Sequence, residues 1–205
     1  MRAVIQRVSS ASVTVDNQVV SSISRGLMVL VGIGTDDTLN DVEVLSKKIL
    51  SLRVFDAGGS MWKASVKDID GDLLCVSQFT LLANTTKGNK PDFHRGMSTD
   101  PGREMYANFL EKLRQSYKPD KIKDGVFGAM MSVSLTNEGP VTFTLDSRKF
   151  EYVDQSPGGS GSGTNTPKGK NKNNLKSGTS TPKVVAEGGK QESVVAVEEG
   201  DGLLG

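Results

Sequence analysis

The run "GLMVLVGI", Gly26 to Ile33, constrains the fold more than any other part of the chain. Successive side chains of a strand point to opposite faces, so a run without polar residues has no face to offer to water. Such a strand belongs inside a sheet that is covered. The sequence that follows supplies a cover, because "TLNDVEVLSKKILSL" sets Leu39, Val42, Leu45, Ile49 and Leu52 at helical spacing behind Thr38. Asp41 stands at the third helical position, where it can complete a capping box with Thr38. A second helix is expected in "DPGREMYANFLEKLRQSY", with Asp100 as its cap and Pro101 in the first helical position. Tyr106, Phe109, Leu110 and Leu113 form its apolar face.

The remaining patterns are strand-like. "AVIQRVSSASVTV" alternates through Val4, Gln6 and Val8 and again through Ala11, Val13 and Val15, and Asp16-Asn17 then turns the chain into "QVVSSI". "LRVFDAGGSMW" reads as a strand ending in a Gly-rich turn, and "DLLCVSQFTLL" as another strand. "VFGAMMSVSL" and "PVTFTL" read as a closing pair. Strand pairs around two helices define an α+β class, with antiparallel and mixed sheets that are barrel-like and covered by two helices.

Composition divides the chain. From Asp154 to Gly205 there is no aromatic residue and no apolar period, and Gly, Ser, Thr, Asn and Lys dominate. Such a segment cannot bury enough surface to offset its ordering entropy, so residues 154–205 are expected to be a disordered tail behind one domain, residues 1–153. The formal net charge of +1 excludes a protein that grips nucleic acid chiefly by bulk charge, and any RNA contact must be local. Cys75 is the one cysteine, which excludes an internal disulfide, and it lies in an apolar run as a core residue. No metal-ligand spacing is visible, and no metal or cofactor is expected. The absence of a membrane-length apolar run and of a signal-peptide pattern predicts a soluble, cytoplasmic protein.

Two stretches do not fit plain structure. "DLLCVSQFTLL" suddenly presents Ser77, Gln78 and Thr80 near the end of an apolar strand, and buried polar groups need partners. In "SVSLTNEGPVTFTL", Asn137, Gly139, Pro140 and Thr142 crowd the junction of the closing strands. Taken singly, each has a structural reading as strand or turn vocabulary. In order, however, "MRAVIQRVSSASVTV", "SQFTL", "GNKPDFHRGM" and "NEGPVT" resemble the D-aminoacyl-tRNA deacylases, the chiral proofreading enzymes of translation. The likeness runs from Met1 to about Leu145.

The resemblance implies hydrolysis of the ester that joins a D-amino acid to the terminal adenosine of tRNA, and a site that selects by excluding an L side chain is expected to hydrolyse glycyl-tRNA as well, since glycine has none. It implies a homodimer in which a cis Gly139–Pro140 pair enters the partner's active site. There its carbonyls bind the substrate's α-amino group and exclude an L side chain. Backbone N–H groups of Phe79 and Thr80 would form the oxyanion hole, with Ser77 and Gln78 shaping the pocket. Water, assisted by the neighbouring 2′-hydroxyl of the tRNA, would be the nucleophile. Adenine would pack near Phe127, Gly128 and Met131. Arg7 reads either as a support of the Gly-Pro element or as the outward side of an edge strand.

Two other readings stand beside this one. Thr80 or Ser77 could attack the ester directly, but each needs an activating base, and the one histidine is His94, with no acid clearly placed to orient it. Alternatively the domain serves as an adaptor whose working part is the tail, where Lys168, Lys170, Lys172, Lys176 and Lys183 precede an acidic end and Thr166-Pro167 and Thr181-Pro182 offer exposed hydroxyls. The intact "SQFTL" and "GPVT" stretches argue against a degenerate enzyme.

Overall fold

The computed structural model describes residues 1–148, so the expected tail and its boundary at Val153 lie outside the described residues. Within them, strand β1 (Arg2–Val15) is the spine. Its first half pairs antiparallel with β3 (Gly26–Gly32) and its second half, on the same edge, with β2 (Gln18–Ile23). The other edge pairs along nearly its whole length with β8 (Ser132–Asp146). Beyond β3 the sheet continues with β6 (Asp72–Ser77) and β7 (Ile122–Asp124), both parallel to their neighbours. The result is a six-stranded mixed sheet, curled nearly into a barrel. Parallel neighbours require crossovers, and helices α1 (Leu39–Ser51) and α2 (Thr99–Ser116) provide them. Strands β4 (Phe55–Ala57) and β5 (Ser60–Ala64) form a separate hairpin.

The both-faces burial expected of β3 is what the structure has. Leu27, Val29 and Val31 enter one core with Ile5, Leu73 and Cys75 of the sheet, Val42, Leu45 and Ile49 of α1, and Phe109 and Leu113 of α2. Met28 points the other way, into a second core with Val8, Val13, Leu74 and Val76. Helices cover the first face, and the curl of the sheet covers the second. Burying side chains of this size contributes about 1.5–3 kcal/mol each, so α1 alone brings several kcal/mol to the first core through Val42, Leu45 and Ile49. Cys75 is fully buried, and burial pushes its thiol pKa far up, consistent with a core role.

Several expectations need correction. Leu39 is exposed and Leu52 only partly buried, so the buried stripe of α1 is shorter than its sequence pattern. Helix α2 starts earlier than expected: Ser98 is its N-cap and Asp100 lies in the first turn. "DLLCVSQFTLL" is not one strand, because it leaves the sheet at Ser77 and coils into a 3₁₀ turn over Phe79–Leu82. "VFGAMM" is a tight turn and not a strand, with Ala129 N–H bonded to Val126 O at 3.1 Å and Gly128 at φ +80°. The expected closing pair is instead the single strand β8, interrupted in its middle. Among the described residues no helix is long and apolar enough to cross a membrane.

The start of α1 is tied to the end of β8 through one carboxylate. Asp41 accepts hydrogen bonds from Thr38 N–H and Thr38 Oγ1, each at 2.9 Å, and from Ser147 Oγ at 2.6 Å. Burial pushes the Asp41 pKa up, but the Ser147 and Thr38 donors outweigh it and hold it at about 2. A carboxyl whose folded pKa is depressed stabilises the fold above its unfolded value near 3.8, and that stabilisation is lost as pH falls toward 2. Asp41→Asn is therefore expected to lower stability at pH 7 by on the order of 2 kcal/mol. Denaturant titrations should show the gap to the parent protein narrowing as pH drops from about 4 toward 2.

Candidate active site

The core strands end at a cleft. Val31 and Ile33 at the end of β3, and Val76 and Ser77 at the end of β6, form its floor. Gln78 N–H donates to Val31 O at 2.7 Å, closing the β3–β6 ladder and starting the 3₁₀ turn. This turn packs so tightly on β3 that a Cβ on Gly32 would lie 2.5 Å from Leu82 Cδ2, 2.9 Å from Leu81 Cβ and 3.1 Å from Gln78 O. Only glycine fits there. The first N–H groups of a 3₁₀ turn have no acceptor inside it, and Phe79 and Thr80 hold those positions. Gln78 Nε2 donates to Thr80 Oγ1 at 2.5 Å, fixing both side chains beside the turn.

The cleft has a volume of about 640 Å³. Ser77, Gln78 and Phe79 line it, and so do Phe127, Gly128 and Met131 from the turn after β7. Thr80 adjoins it without being part of the lining. Met131 folds back over Gly125, with Val126 N–H directed to its sulfur at 3.4 Å. Phe127 packs on Tyr106 at 5.7 Å between centroids. Sequence reasoning missed Phe93, Met97 and Gly102. Phe93 meets Phe79 edge to face at 5.0 Å, and a Cβ on Gly102 would sit 3.8 Å from Phe127. A glycine within the first turn of α2 was the one available signal.

None of the eighteen lining residues is ionisable. His94 is 95% exposed and does not line the cleft. Contrary to expectation an acid does orient it: Asp92 Oδ1 lies 2.5 Å from its Nδ1. Contact with His94 holds the Asp92 carboxyl below the usual range. The pair lies outside the lining of the cleft.

Gly139 and Pro140 do not line the cleft of their own chain either. Gln6 pairs with Thr142 and Val8 with Asn137, so Glu138–Val141 stand opposite Arg7 alone as a wide bulge loop within β8, with Gly139 and Pro140 exposed and Glu138 and Val141 half-buried. The Gly139–Pro140 bond is cis. Asn137 closes the loop, its Oδ1 accepting from Val141 N–H at 2.7 Å and its Nδ2 donating to Thr142 Oγ1 at 2.8 Å. Arg7 braces it from below, donating from Nε to Glu138 O at 3.0 Å and from Nη1 to Val54 O at 2.6 Å. Here β1 is paired on both edges and the Arg7 side chain is 11% exposed, so the edge-strand reading fails. Gly139 has φ +129°, and a Cβ there would lie 2.8 Å from Val141 Cγ2 and 3.1 Å from Arg7 Nη2. The Glu138 carboxylate pairs with Arg25 at the surface, which adds little.

A neutral cleft beside a turn whose first N–H groups have no partner among the described residues is of a kind that can stabilise an oxyanion, as in acyl transfer or ester hydrolysis. Comparison with known proteins narrows this class. The sequence profile of the family described as D-Tyr-tRNA(Tyr) deacylase matches residues 4–146, and the chain belongs to that family. D-aminoacyl-tRNA deacylase of Candida glabrata is 56% identical over 147 residues, covering 72% of this chain and 99% of the yeast protein. The Saccharomyces cerevisiae protein of the same name is 54% identical over 148 residues, covering 72% and 99%. A solved structure titled as a c-Myc DNA unwinding element binding protein is 52% identical, with a TM-score of 0.69 over 71% of this chain and 98% of its own. A second, described as a probable eukaryotic D-amino acid tRNA deacylase, is 20% identical with a TM-score of 0.62 and shows the shared fold.

Arg7→Ala removes two charge-assisted hydrogen bonds at once and leaves the carbonyls of Glu138 and Val54 without them. We expect it to destabilise the protein by about 2–3 kcal/mol. Arg7→Lys should recover little, since a single ammonium cannot span both carbonyls. Urea unfolding of the three proteins measures the difference.

Proposed function

We propose that the cleft at Ser77–Thr80 hydrolyses the ester of D-aminoacyl-tRNA with main-chain donors and the substrate's own ribose hydroxyl, and with no protein base. Membership of the deacylase family supports the substrate class. The observation that carries the mechanism is the absence of any ionisable residue among those lining the cleft. The N–H groups of Phe79 and Thr80 receive the oxyanion as water adds to the ester carbonyl, and one such donor is worth about 10²–10³ in rate. The 2′-hydroxyl of the terminal ribose takes part in moving the water proton. The C–O bond then breaks and the 3′-oxygen leaves protonated. Free D-amino acid and tRNA are the products, which is chiral proofreading in translation. Adenine lies against Phe127, Gly128 and Met131.

Selection falls to Gly139 and Pro140 of a second copy. Within one chain the loop and the cleft are separate: Arg7 stands opposite Leu27, while the cleft begins at Val31. That is four residues along β3, or about 13 Å at the rise of a strand. An exposed, braced loop and a cleft without a selecting group support a homodimer in which each completes the other. Carbonyls of the loop bind the α-amino group and occupy the space that an L side chain needs. A D side chain points away and goes unread, and glycine, having no side chain, is not excluded. Arg7 supports the loop and touches no substrate. Residues 1–153 are the catalytic unit, acting in the cytoplasm, and residues 154–205 lie outside it.

Thr80→Ala separates this mechanism from a threonine nucleophile. The change keeps the backbone N–H and removes the hydroxyl that accepts from Gln78. Loss of one hydrogen bond costs on the order of 1 kcal/mol, so the single-turnover rate on D-tyrosyl-tRNA should fall less than about tenfold. A fall of several orders of magnitude would make Thr80 Oγ1 the attacking atom.

A further inference from the structure

The cleft is neutral, but its proposed substrate is a polyanion whose backbone must leave it past the rim. At the rim, on the first turns of α2, Arg103 lies with its guanidinium carbon 4.9 Å from the centre of the Phe127 ring. An added Cβ on Gly128 would come 4.0 Å from Arg103 Nη2. Phe127 in turn is packed on Tyr106, one helical turn below Arg103, so helix, ring and guanidinium form one stack beside the cleft. Among the described residues no hydrogen bond or ion pair engages the Arg103 guanidinium. Asp100 and Glu104 are near in sequence, yet neither pairs with it. Its head is therefore oriented by an aromatic face while its N–H donors have no partner among the described residues.

We propose that Arg103 binds the phosphate on the 5′ side of the substrate's terminal adenosine, a specificity contact for a nucleotide rather than a free nucleoside ester. The inference rests on reading the cleft as the aminoacyl-adenosine site. A base against Phe127 and Gly128 puts its ribose toward the Phe79–Thr80 turn, and the 5′-oxygen is the one ribose substituent joined to the rest of the tRNA. The phosphate it carries is the first negative charge outside the neutral cleft. A planar guanidinium stacked on the ring that holds the base presents paired N–H donors to that phosphate, which an ammonium cannot do in the same geometry. The contact adds binding and leaves the attack on the ester to the turn.

The test uses the full chain and two non-hydrolysable probes, D-tyrosyl-3′-amino-3′-deoxyadenosine with and without a 5′-phosphate. Calorimetry at low salt should show the phosphate tightening binding to the parent protein by about fivefold or more. Arg103→Gln should lose that gain while binding the phosphate-free probe within about twofold of the parent, and Arg103→Lys should recover part of it. On D-tyrosyl-tRNA the loss in Arg103→Gln falls on the half-saturating concentration. The slope of log affinity against log salt should drop by about 0.7, the value for one phosphate contact on a single strand. An equal phosphate gain in parent and Arg103→Gln overturns the assignment. So does an equal loss for both probes, which would make Arg103 a prop for Phe127. A parent protein that binds neither probe removes the aminoacyl-adenosine reading itself, and this inference with it.

Discussion

The hydrogen bond from Gln78 N–H to Val31 O, at 2.7 Å, is the point where the core becomes the site. Strands β3 and β6 run parallel in unbroken register from Gly26↔Asp72 to Val31↔Ser77. Strand β3 carries no polar side chain and β6 none between Leu73 and Val76, because helices lie on one face and the curl of the sheet on the other. Where the ladder ends, Gly32 lets the next turn collapse onto β3, and the N–H groups of Phe79 and Thr80 take their direction from packed backbone. Donors placed in this way need no reorganisation when charge develops on a substrate oxygen. Their precision derives from the stability of the core.

In the proposed function the same economy of side chains governs selection. The Glu138–Val141 loop is held by Asn137 within β8 and by Arg7 from β1, so its carbonyls are aimed by hydrogen bonds that lie behind them. Backbone atoms are common to every residue type, which would suit the proposed role of accepting many D side chains and refusing L ones. Of the charged groups of this region, Arg7 lies behind the loop and Arg25 pairs with the side chain of Glu138 at its start, and Arg103 and the Asp92–His94 pair stand outside the cleft lining.

Much of this was legible in the residues. Burial of β3 on both faces followed from "GLMVLVGI", and the two helices followed from their three- and four-residue spacing. Ser77, Gln78 and Thr80 were marked as polar residues at the end of an apolar strand, of which Thr80 does not line the cleft, and Phe79 was named only through the family resemblance. What the pattern hid was local geometry. "SQFTLL" alternates well enough for a strand, and only the close approach at Gly32 shows why the chain must coil there. "VFGAMM" has the composition of a strand, but Gly128 adopts a positive φ and Met131 folds back on Gly125, so the segment turns. Arg7 was ambiguous because nothing in sequence tells whether β1 has one neighbour or two. Arg103 gave no signal at all, since a charged residue on a helix surface is the ordinary case until the ring beneath it is seen.

In the proposed mechanism no group of the protein serves as the base for water. The decisive substrate is D-tyrosyl-tRNA that ends in 2′-deoxyadenosine and is charged on its 3′-hydroxyl. If the ribose supplies the assistance, this substrate should bind normally and be hydrolysed at least about 10²-fold more slowly, the usual worth of a positioned proton-transfer group. Hydrolysis within a few-fold of the normal substrate in single turnover would contradict the account and place the base in the protein.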